Sequence, residues 1–369
     1  MSSWRWALIA TTLVAGCFKN GSDANGDGGL NDSGQDTTPC MEGSLSLKAA
    51  TLSGCANAGT IDGPRGTAYF SNPVNMKLGP SGIAYVADFD TGLIRRVDTD
   101  GTVTTILKQP GFQLPFGMLV MSNGYLVVET DDDDTAMHSG TTGTLWQVNT
   151  ASGTATVMTR DQGRPRGLAL APDGTIYTSD YVSHTIGHFD PNNAAAGIVR
   201  IAGTPNVEGH VNSNGSGPST FGQPWDLVMD TDGDLLVAEF DNNVIRKVTP
   251  NGTVNGIVSD YAGTGAAGHV DGPLATAQFN NPKGIVMDAS GAVYVSEAGN
   301  HDIRKIQNGM VSTIAGDGNA GYIDNDDPTM AEFYGVEGLD VSSDGTRLVV
   351  ADGNNGDTMP FNHVRVVTP

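Results

Sequence analysis

The feature that most constrains the fold of this chain is a unit that recurs six times along it. Each copy opens with a tight turn that leads into a short apolar strand, and the turn contains Pro in the first five copies. The openings lie at residues 72–76, 114–118, 164–168, 223–227, 281–285 and 335–339. A period of roughly 40 to 60 residues indicates units that bury their apolar faces only against one another. The sequence therefore predicts a stack or a ring of similar units.

The internal pattern of each unit favours the ring. In the fifth copy, Ser290-Gly291 gives a hairpin signal before a predicted strand at 292–296, and further strands are predicted at 302–306 and 311–314. Glycine makes up 50 of the 369 residues, which agrees with many tight turns. Four short antiparallel strands per unit predict an all-β fold, a six-bladed β-propeller.

The two ends of the chain provide a way to close the ring. The last copy stops after three predicted strands, at residues 364–367. The segment 46–52 near the other end parallels the fourth strand and loop of the fifth copy, at 311–316. We therefore predict that an N-terminal strand completes the last blade, and that residues 45–369 form the propeller domain.

The strands also carry a recognisable motif. Residues 295–306 read Val-Ser-Glu-Ala-Gly-Asn-His-Asp-Ile-Arg-Lys-Ile, and residues 311–316 read Val-Ser-Thr-Ile-Ala-Gly. This pattern resembles the NHL-repeat family of six-bladed propellers, over about residues 45–369. The resemblance is strong in the first, fourth, fifth and sixth copies. In the second and third copies, Leu145-Trp146-Gln147 and Ile186-Gly187-His188 replace the Arg-bearing strand.

The charge balance limits the partners that this resemblance implies. Some NHL-repeat proteins bind nucleic acid through basic faces. This chain has 19 Lys and Arg against 41 Asp and Glu, a formal net charge of -22. Such an acidic surface repels polyanions. We therefore expect no nucleic-acid partner.

The first residues read as an export signal. Arg5 precedes an apolar run over 7–14, and Leu13 to Cys17 resembles the bacterial lipobox. We predict a lipoprotein signal peptide at 1–16, lipidation of Cys17 and a flexible Gly/Asn/Asp/Ser tether at 17–44. The alternative is an ordinary signal peptide with a chance Cys. The expected location is the bacterial cell envelope, lipid-anchored on the periplasmic or outer surface.

Two other cysteines remain if Cys17 carries lipid. In an exported chain, Cys40 and Cys55 are expected to form a disulfide, and the alternative is two separate thiols.

An acidic residue ends each second strand, and most of these acids have an Arg on the third strand. Asp88, for example, precedes Arg95 by seven residues, a spacing that predicts a structural ion pair. Two of the acids lack that Arg, and with two loop histidines they form a candidate zinc site: Glu129, Asp180, His184 and His301. The histidines could equally be ordinary loop residues in contact with solvent.

Calcium is a second candidate ion. The run Asp131 to Asp134 packs four acids into one loop, where they are either bridged by calcium or left in solvent. The sequence identifies no cofactor beyond these two ions.

Residues beside each Pro anchor begin the innermost strand and are expected to ring the mouth of the central channel. The predicted ring consists of Val74, and of the ligand-binding candidates Phe116, Arg166, Trp225, Lys283 and Glu337. The predicted function is a binding or scaffold module that meets an envelope protein or a glycan on this loop-rich face. Ordinary packing at a propeller entrance would equally explain these residues.

Two other functions are compatible with the sequence. The NHL family resembles loosely the amidating lyases, which implies a metal-dependent lyase or hydrolase with its centre in the channel. The second of these functions is that of a sensor domain, which would hold a small anion through Arg166 and Lys283.

Overall fold

The computed structural model describes residues 43–135, 137–354, 356 and 361–369, and the regular secondary structure of these residues is almost entirely β. They contain 26 strands in six antiparallel sheets, which are the blades of a propeller. Four short 3₁₀ helices lie in the connections, at Pro80–Gly82, Phe89–Thr91, Pro191–Ala196 and Pro328–Met330.

The blades share one plan, with the first strand at the channel and later strands farther out. The chain enters at β1 (Ala49–Ser53). Blade 1 contains β2 (Pro73–Leu78), β3 (Ala84–Asp88), β4 (Leu93–Val97) and β5 (Val103–Leu107). Blade 2 contains β6 (Pro115–Val120), β7 (Tyr125–Thr130), β8 (Thr144–Asn149) and β9 (Thr154–Thr159). Blade 3 contains β10 (Gly167–Leu170), β11 (Ile176–Asp180), β12 (Thr185–Phe189) and β13 (Val199–Ala202).

The remaining blades follow the same order, and two of them gain a two-residue outer strand. Blade 4 contains β14 (Ser213–Asn214), β15 (Pro224–Met229), β16 (Leu235–Glu239), β17 (Val244–Thr249) and β18 (Ile257–Ala262). Blade 5 contains β19 (Gly272–Pro273), β20 (Pro282–Met287), β21 (Val293–Glu297), β22 (Asp302–Gln307) and β23 (Met310–Ala315). Blade 6 contains β24 (Gly335–Val341), β25 (Leu348–Gly353) and β26 (His363–Val367) together with β1.

The ring closes as the sequence predicts. Each innermost strand contacts the next one, and β24 contacts β2. In blade 6, β1 pairs antiparallel with β26, so that Ala50 lies opposite Val366. The six-bladed propeller, with its N-terminal strand in the last blade, is therefore confirmed.

One strand is displaced from its predicted position. The sequence pattern predicts the fourth strand of the fourth copy at 253–258, whereas this strand, β18, begins at Ile257 and ends at Ala262. The Asn251 side chain accepts a hydrogen bond from the Thr253 amide and donates one to the Asn255 carbonyl. These local bonds stabilise a turn, which delays the start of the strand.

The hydrophobic core is divided among the six junctions between neighbouring blades. The junction of blades 5 and 6 buries 14 apolar residues. The junction of blades 2 and 3 buries only six, among them Leu145 and Phe189. Blade 3 therefore has the thinnest apolar support on its blade 2 side.

Several predictions fall on the first residues of the chain. The signal peptide, Cys17, the tether up to residue 42 and Cys40 lie outside the described residues. Cys55 is buried and disulfide-bonded. Among the residues that the structure describes, no helix has the length and apolar character that crossing a membrane requires.

Candidate functional site at the channel mouth

The starts of the innermost strands gather five predicted ligand-binding residues at one end of the channel. Phe116, Trp225, Lys283 and Glu337 lie near the first residues of β6, β15, β20 and β24, and Arg166 directly precedes β10. We call this group the mouth cluster. Val74 is buried in the core between blades 1 and 2 and, unlike Phe116, which lies in the same core, it does not line the small cavity that Arg166 and Trp225 help to enclose.

The two cations of the mouth cluster are neutralised by acids of the same chain. Arg166 meets both oxygens of Asp131, at 3.2 and 2.5 Å. The Lys283 ammonium lies 2.5 Å from Glu337. Burial alone would lower the pKa of Arg166, but the Asp131 carboxylate raises it, so the guanidinium stays charged. A small anion at this mouth would have to compete with both carboxylates, which disfavours an anion sensor.

A second acid lies behind this pair. Glu129 is fully buried and accepts a 3.4 Å hydrogen bond from the Gly117 amide. Burial, together with the Asp131 charge, raises the pKa of Glu129 well above its ordinary value, although Arg166 acts in the opposite direction. A Glu129 carboxyl that keeps its proton leaves Asp131 as the carboxylate that pairs with Arg166.

Aromatic rings surround both cations. The Arg166 guanidinium lies 4.0 Å from the ring centre of Phe116 and 4.5 Å from that of Tyr181. The Lys283 ammonium lies 4.8 Å from the ring centre of Trp225. Such cation–π contacts add about 0.5 to 2 kcal/mol each, depending on how far the pair is desolvated.

Trp225 is the hub of these rings. Its ring centre lies 5.0 Å from that of Tyr181, 5.2 Å from that of Phe240 and 6.1 Å from that of Phe116. Phe89 stands at the far side of Phe116, with ring centres 5.9 Å apart. Trp225, Tyr181, Phe240 and Phe89 are all partly exposed. Together they form an aromatic surface around the mouth cluster.

Sequence reasoning missed three of these rings, although a signal for them exists. Phe89, Tyr181 and Phe240 each directly follow the acid that ends the second strand of their blade. In an antiparallel blade this position lies at the edge where the innermost strand begins, next to the channel mouth. An aromatic residue directly after that acid would therefore have identified them.

The space between these side chains is almost filled. Asn75, Phe116, Arg166, Trp225 and Glu337 enclose a cavity with about 10 Å³ of free volume. This is near the least volume that holds one water molecule, about 10 to 15 Å³. A ligand of the mouth would therefore lie on the aromatic surface.

The predicted zinc ligands are not brought together. His184 accepts a 3.2 Å hydrogen bond from the Gln223 amide, and His301 contacts the carbonyl and the ring of Tyr334. Asp180 accepts hydrogen bonds from backbone amides of its own blade, and Glu129 lies behind the mouth cluster. In the described part of the chain, no group of three or more His, Cys, Asp and Glu residues is arranged to hold a metal ion.

Each acid of the run Asp131 to Asp134 has a partner within the chain. Asp131 pairs with Arg166, Asp132 with His138 at 2.6 Å and Asp134 with Arg160. Asp133 accepts hydrogen bonds from backbone amides of the same loop, including that of Thr135 at 2.8 Å. Cations and amides of the chain itself offset the repulsion. Sequence reasoning could not foresee this, because Arg160 and Arg166 come from outside the loop.

Comparison with known proteins finds longer relatives, which this chain matches over part of their length. No model of a protein family matches the chain. The chicken (Gallus gallus) NHL repeat-containing protein 2 is 25% identical over 331 residues, which are 82% of this chain and 40% of that protein. The human (Homo sapiens) protein of the same name is 26% identical over 316 residues, with the same coverage. The chain thus spans about two fifths of the length of these relatives.

Solved structures agree on the fold. A protein of unknown function from Bacteroides thetaiotaomicron superposes with a TM-score of 0.68 at 20% identity, over 87% of this chain and 75% of that one. An auxiliary nutrient binding protein from Bacteroides ovatus superposes with a TM-score of 0.66 at 18% identity, over 92% and 82%. At such identities the likeness establishes the six-bladed architecture.

Proposed function

We propose, from the premise that this chain belongs to the NHL-repeat β-propellers, that it is a binding module whose aromatic surface at the channel mouth takes a glycan. The observation that carries the proposal is the arrangement around Trp225, where partly exposed rings surround two cations that are already neutralised. Aromatic faces stack on the C–H faces of sugar rings and give large contact area with little entropy cost.

The filled cavity supports surface binding in place of a deep pocket. Lys283 and Glu337 are buried as a pair, and Asp131 is buried against the partly buried Arg166, so the part open to a ligand is mainly aromatic. One structural neighbour is named as a nutrient binding protein, and a glycan ligand would be in keeping with that name. An envelope protein is the other partner class, since aromatic residues are also enriched in protein interfaces.

The proposal includes a location. The lipobox-like segment ending at Cys17 and the polar stretch after it suit a lipid-anchored protein of the bacterial envelope. In a bacterial host the full chain should incorporate labelled palmitate and fractionate with membranes. The Cys17→Ser variant should lose both properties, and retention of the label would exclude lipidation at this residue.

The binding proposal is tested with soluble glycans and the folded propeller. Affinity electrophoresis through gels that contain β-glucan, α-glucan, mannan or peptidoglycan fragments should show retardation by at least one of them. Trp225→Ala should weaken that binding at least tenfold, because the hub of the aromatic surface is removed. The matched control is Trp146→Phe, which changes a Trp buried in blade 2 and should bind as the parent does.

Retardation that survives Trp225→Ala would place the glycan elsewhere and overturn the proposal. Absence of binding to every glycan, with specific Trp225-dependent binding of an envelope protein instead, would also overturn it in favour of a protein partner.

A further inference from the structure

Four blades share a buried arginine that blade 3 lacks. In blades 1, 4, 5 and 6 this arginine lies in the middle of the third strand and is fully buried. It bonds to the acid at or next to the end of the second strand, at 2.7 to 3.1 Å. The pairs are Arg95–Asp88, Arg246–Glu239, Arg304–Glu297 and Arg365–Asp352.

The connection that precedes each of these blades covers the arginine. A Phe from that connection lies over the guanidinium, 4.8 to 5.4 Å from its carbon. The Phe residues are Phe70, Phe221, Phe279 and Phe333. The same connection adds a polar side chain, for example Asp271 at 2.5 Å from Arg304. The guanidinium is thus enclosed by an acid, a ring and a loop.

Blade 3 retains the acid but has lost the other parts. Gly187 takes the arginine position, because it lies opposite Thr178 as Arg304 lies opposite Val295. Gln162 takes the Phe position, three residues before the Pro anchor. The connection from blade 2 is short, since β9 ends at Thr159 and β10 begins at Gly167.

A cleft of about 300 Å³ lies where the other blades are filled. Its walls include Gln162, Asp180, Gly187 and Arg200, with hydroxyl groups from Thr178 and Ser183. The volume exceeds that of an arginine side chain. The cleft is also separate from the mouth cluster, since the two cavities share no lining residue.

Backbone amides hold the Asp180 carboxylate in position, and no cation pairs with it in the described part of the chain. Its Oδ1 accepts hydrogen bonds from the amides of Val182 and Ser183 at 2.9 Å, and its Oδ2 accepts one from the amide of Arg164 at 3.2 Å. Within the described ranges, the structure records no ion pair for Asp180. The equivalent acids of blades 1, 4, 5 and 6 each pair with an arginine. The Arg200 guanidinium donates instead to the carbonyls of Gly203 and Val254.

We propose that the blade 3 cleft is a binding site for a guanidinium group, which enters where the other blades hold their own arginine and pairs with Asp180. The chain itself shows that this acid position accepts a guanidinium in four blades. The exposed Asp161 at the rim and the formal net charge of -22 attract a cationic ligand to the cleft. A planar guanidinium can donate to a carboxylate and to neighbouring oxygens at once, which an ammonium cannot do in the same geometry.

The guanidinium comes either from a small guanidine compound or from an arginine side chain of a peptide, and two probes separate these sources. Nα-acetyl-arginine amide represents the small compound, and an end-blocked Gly-Arg-Gly tripeptide represents the peptide. Binding of each to the full chain is measured by calorimetry. The control ligand is Nα-acetyl-citrulline amide, which has nearly the same shape and no charge. We expect the arginine compound to bind at least tenfold more tightly than the citrulline compound.

Two variants test whether the guanidinium binds in the blade 3 cleft. Asp180→Asn removes the charge with little change in shape and should weaken binding at least tenfold. Gly187→Arg should abolish it, because the new side chain fills the cleft as in the other blades. A Cβ at Gly187 would lie 2.5 Å from the Ile198 Cγ2 atom, so this change is combined with Ile198→Ala. Ile198→Ala alone is the matched control; because Ile198 also lines the cleft, its own affinity is the reference against which the double variant is compared.

Equal affinity for the arginine and citrulline compounds would overturn the proposal, and so would undiminished binding to a folded Gly187→Arg/Ile198→Ala variant. Tighter binding of the tripeptide than of the small compound supports the site and assigns it to peptide arginine, whereas equal binding supports a free guanidine. Trp225→Ala should leave guanidine binding unchanged, so failure of the glycan proposal and failure of this one are distinguishable.

Discussion

Blade 5 and blade 3 share the order of their four main strands but fill the same face differently. In blade 5, Arg304 is enclosed by Glu297, Asp271 and Phe279. In blade 3, Gly187 leaves that face open as a cleft. The sheets pair alike in both blades. Strand pairing and the inter-blade core therefore suffice to form a blade. The buried arginine with its acid, which we call the arginine brace, is an addition to them.

Blade 2 is an intermediate case. Trp146 lies opposite Val128, in the arginine position, and its ring lies 5.4 Å from that of Phe112. Its Nε1 donates a 2.8 Å hydrogen bond to Thr130. A buried aromatic residue therefore replaces the ion pair, which leaves blade 3 as the one described blade whose face is open.

The largest expected effect is that of removing the brace from blade 5. Arg304→Met should lower the free energy of unfolding by about 3 to 5 kcal/mol, because Glu297 and Asp271 lose the cation they face and Glu297 is fully buried. Urea unfolding measures the change. Arg200→Met in blade 3 is the matched control and should cost about 1 kcal/mol, since Arg200 donates only to carbonyls. Equal losses in the two variants would contradict the distinction between the blades.

A smaller effect concerns Asp226, which lies in blade 4 between the two compared blades. Its Oδ2 accepts a hydrogen bond from the Ile285 amide of blade 5 at 3.2 Å, and burial raises its pKa to about 6. A raised pKa means that the folded state favours the protonated carboxyl. This contribution is fully present below about pH 4 and is lost as the pH rises through 6, by about 3 kcal/mol in all.

Asp226→Asn should flatten the dependence of stability on pH between 4 and 6, as measured by urea unfolding at several pH values. The absolute stability also changes, because one accepting oxygen becomes a donor, so the slope is the informative quantity. An unchanged slope would show that Asp226 ionises normally.

The smallest effect is expected at an exposed pair with the same chemistry as the brace. Arg160 meets both oxygens of Asp134, at 2.8 and 2.5 Å, on the surface of blade 2. Asp134→Ala should change the free energy of unfolding by less than about 0.5 kcal/mol, because water screens exposed ion pairs. If Asp134→Ala lowered the free energy of unfolding as much as Arg304→Met does, burial could not be the reason why the Arg304 ion pair stabilises blade 5. Thermal unfolding at two salt concentrations measures both the change and its screening.

Much of the propeller could be predicted from local patterns. The repeated Pro turn and the Gly hairpins mark the strands, and the seven-residue spacing of Asp88 and Arg95 predicts a pair that the structure confirms. The strand at 253–258 was misplaced because Asn251 stabilises a turn there. The mouth cluster was predicted from strand starts, whereas its neutralisation was not, since Asp131 and Arg166 come from different blades.

Local patterns in the sequence are enough to predict the six blades, the four main strands of each and the segment that closes the ring, because turn residues and strand periodicity act over a few neighbouring positions. They do not predict the two-residue strands β14 and β19 or the position of β18. Local patterns do not predict which charges pair across blades, which rings meet at Trp225, or that the face beside Gly187 stays open. Those outcomes depend on how loops of different length pack over each blade. This packing involves segments that lie far apart in the chain, so local sequence patterns do not reveal it.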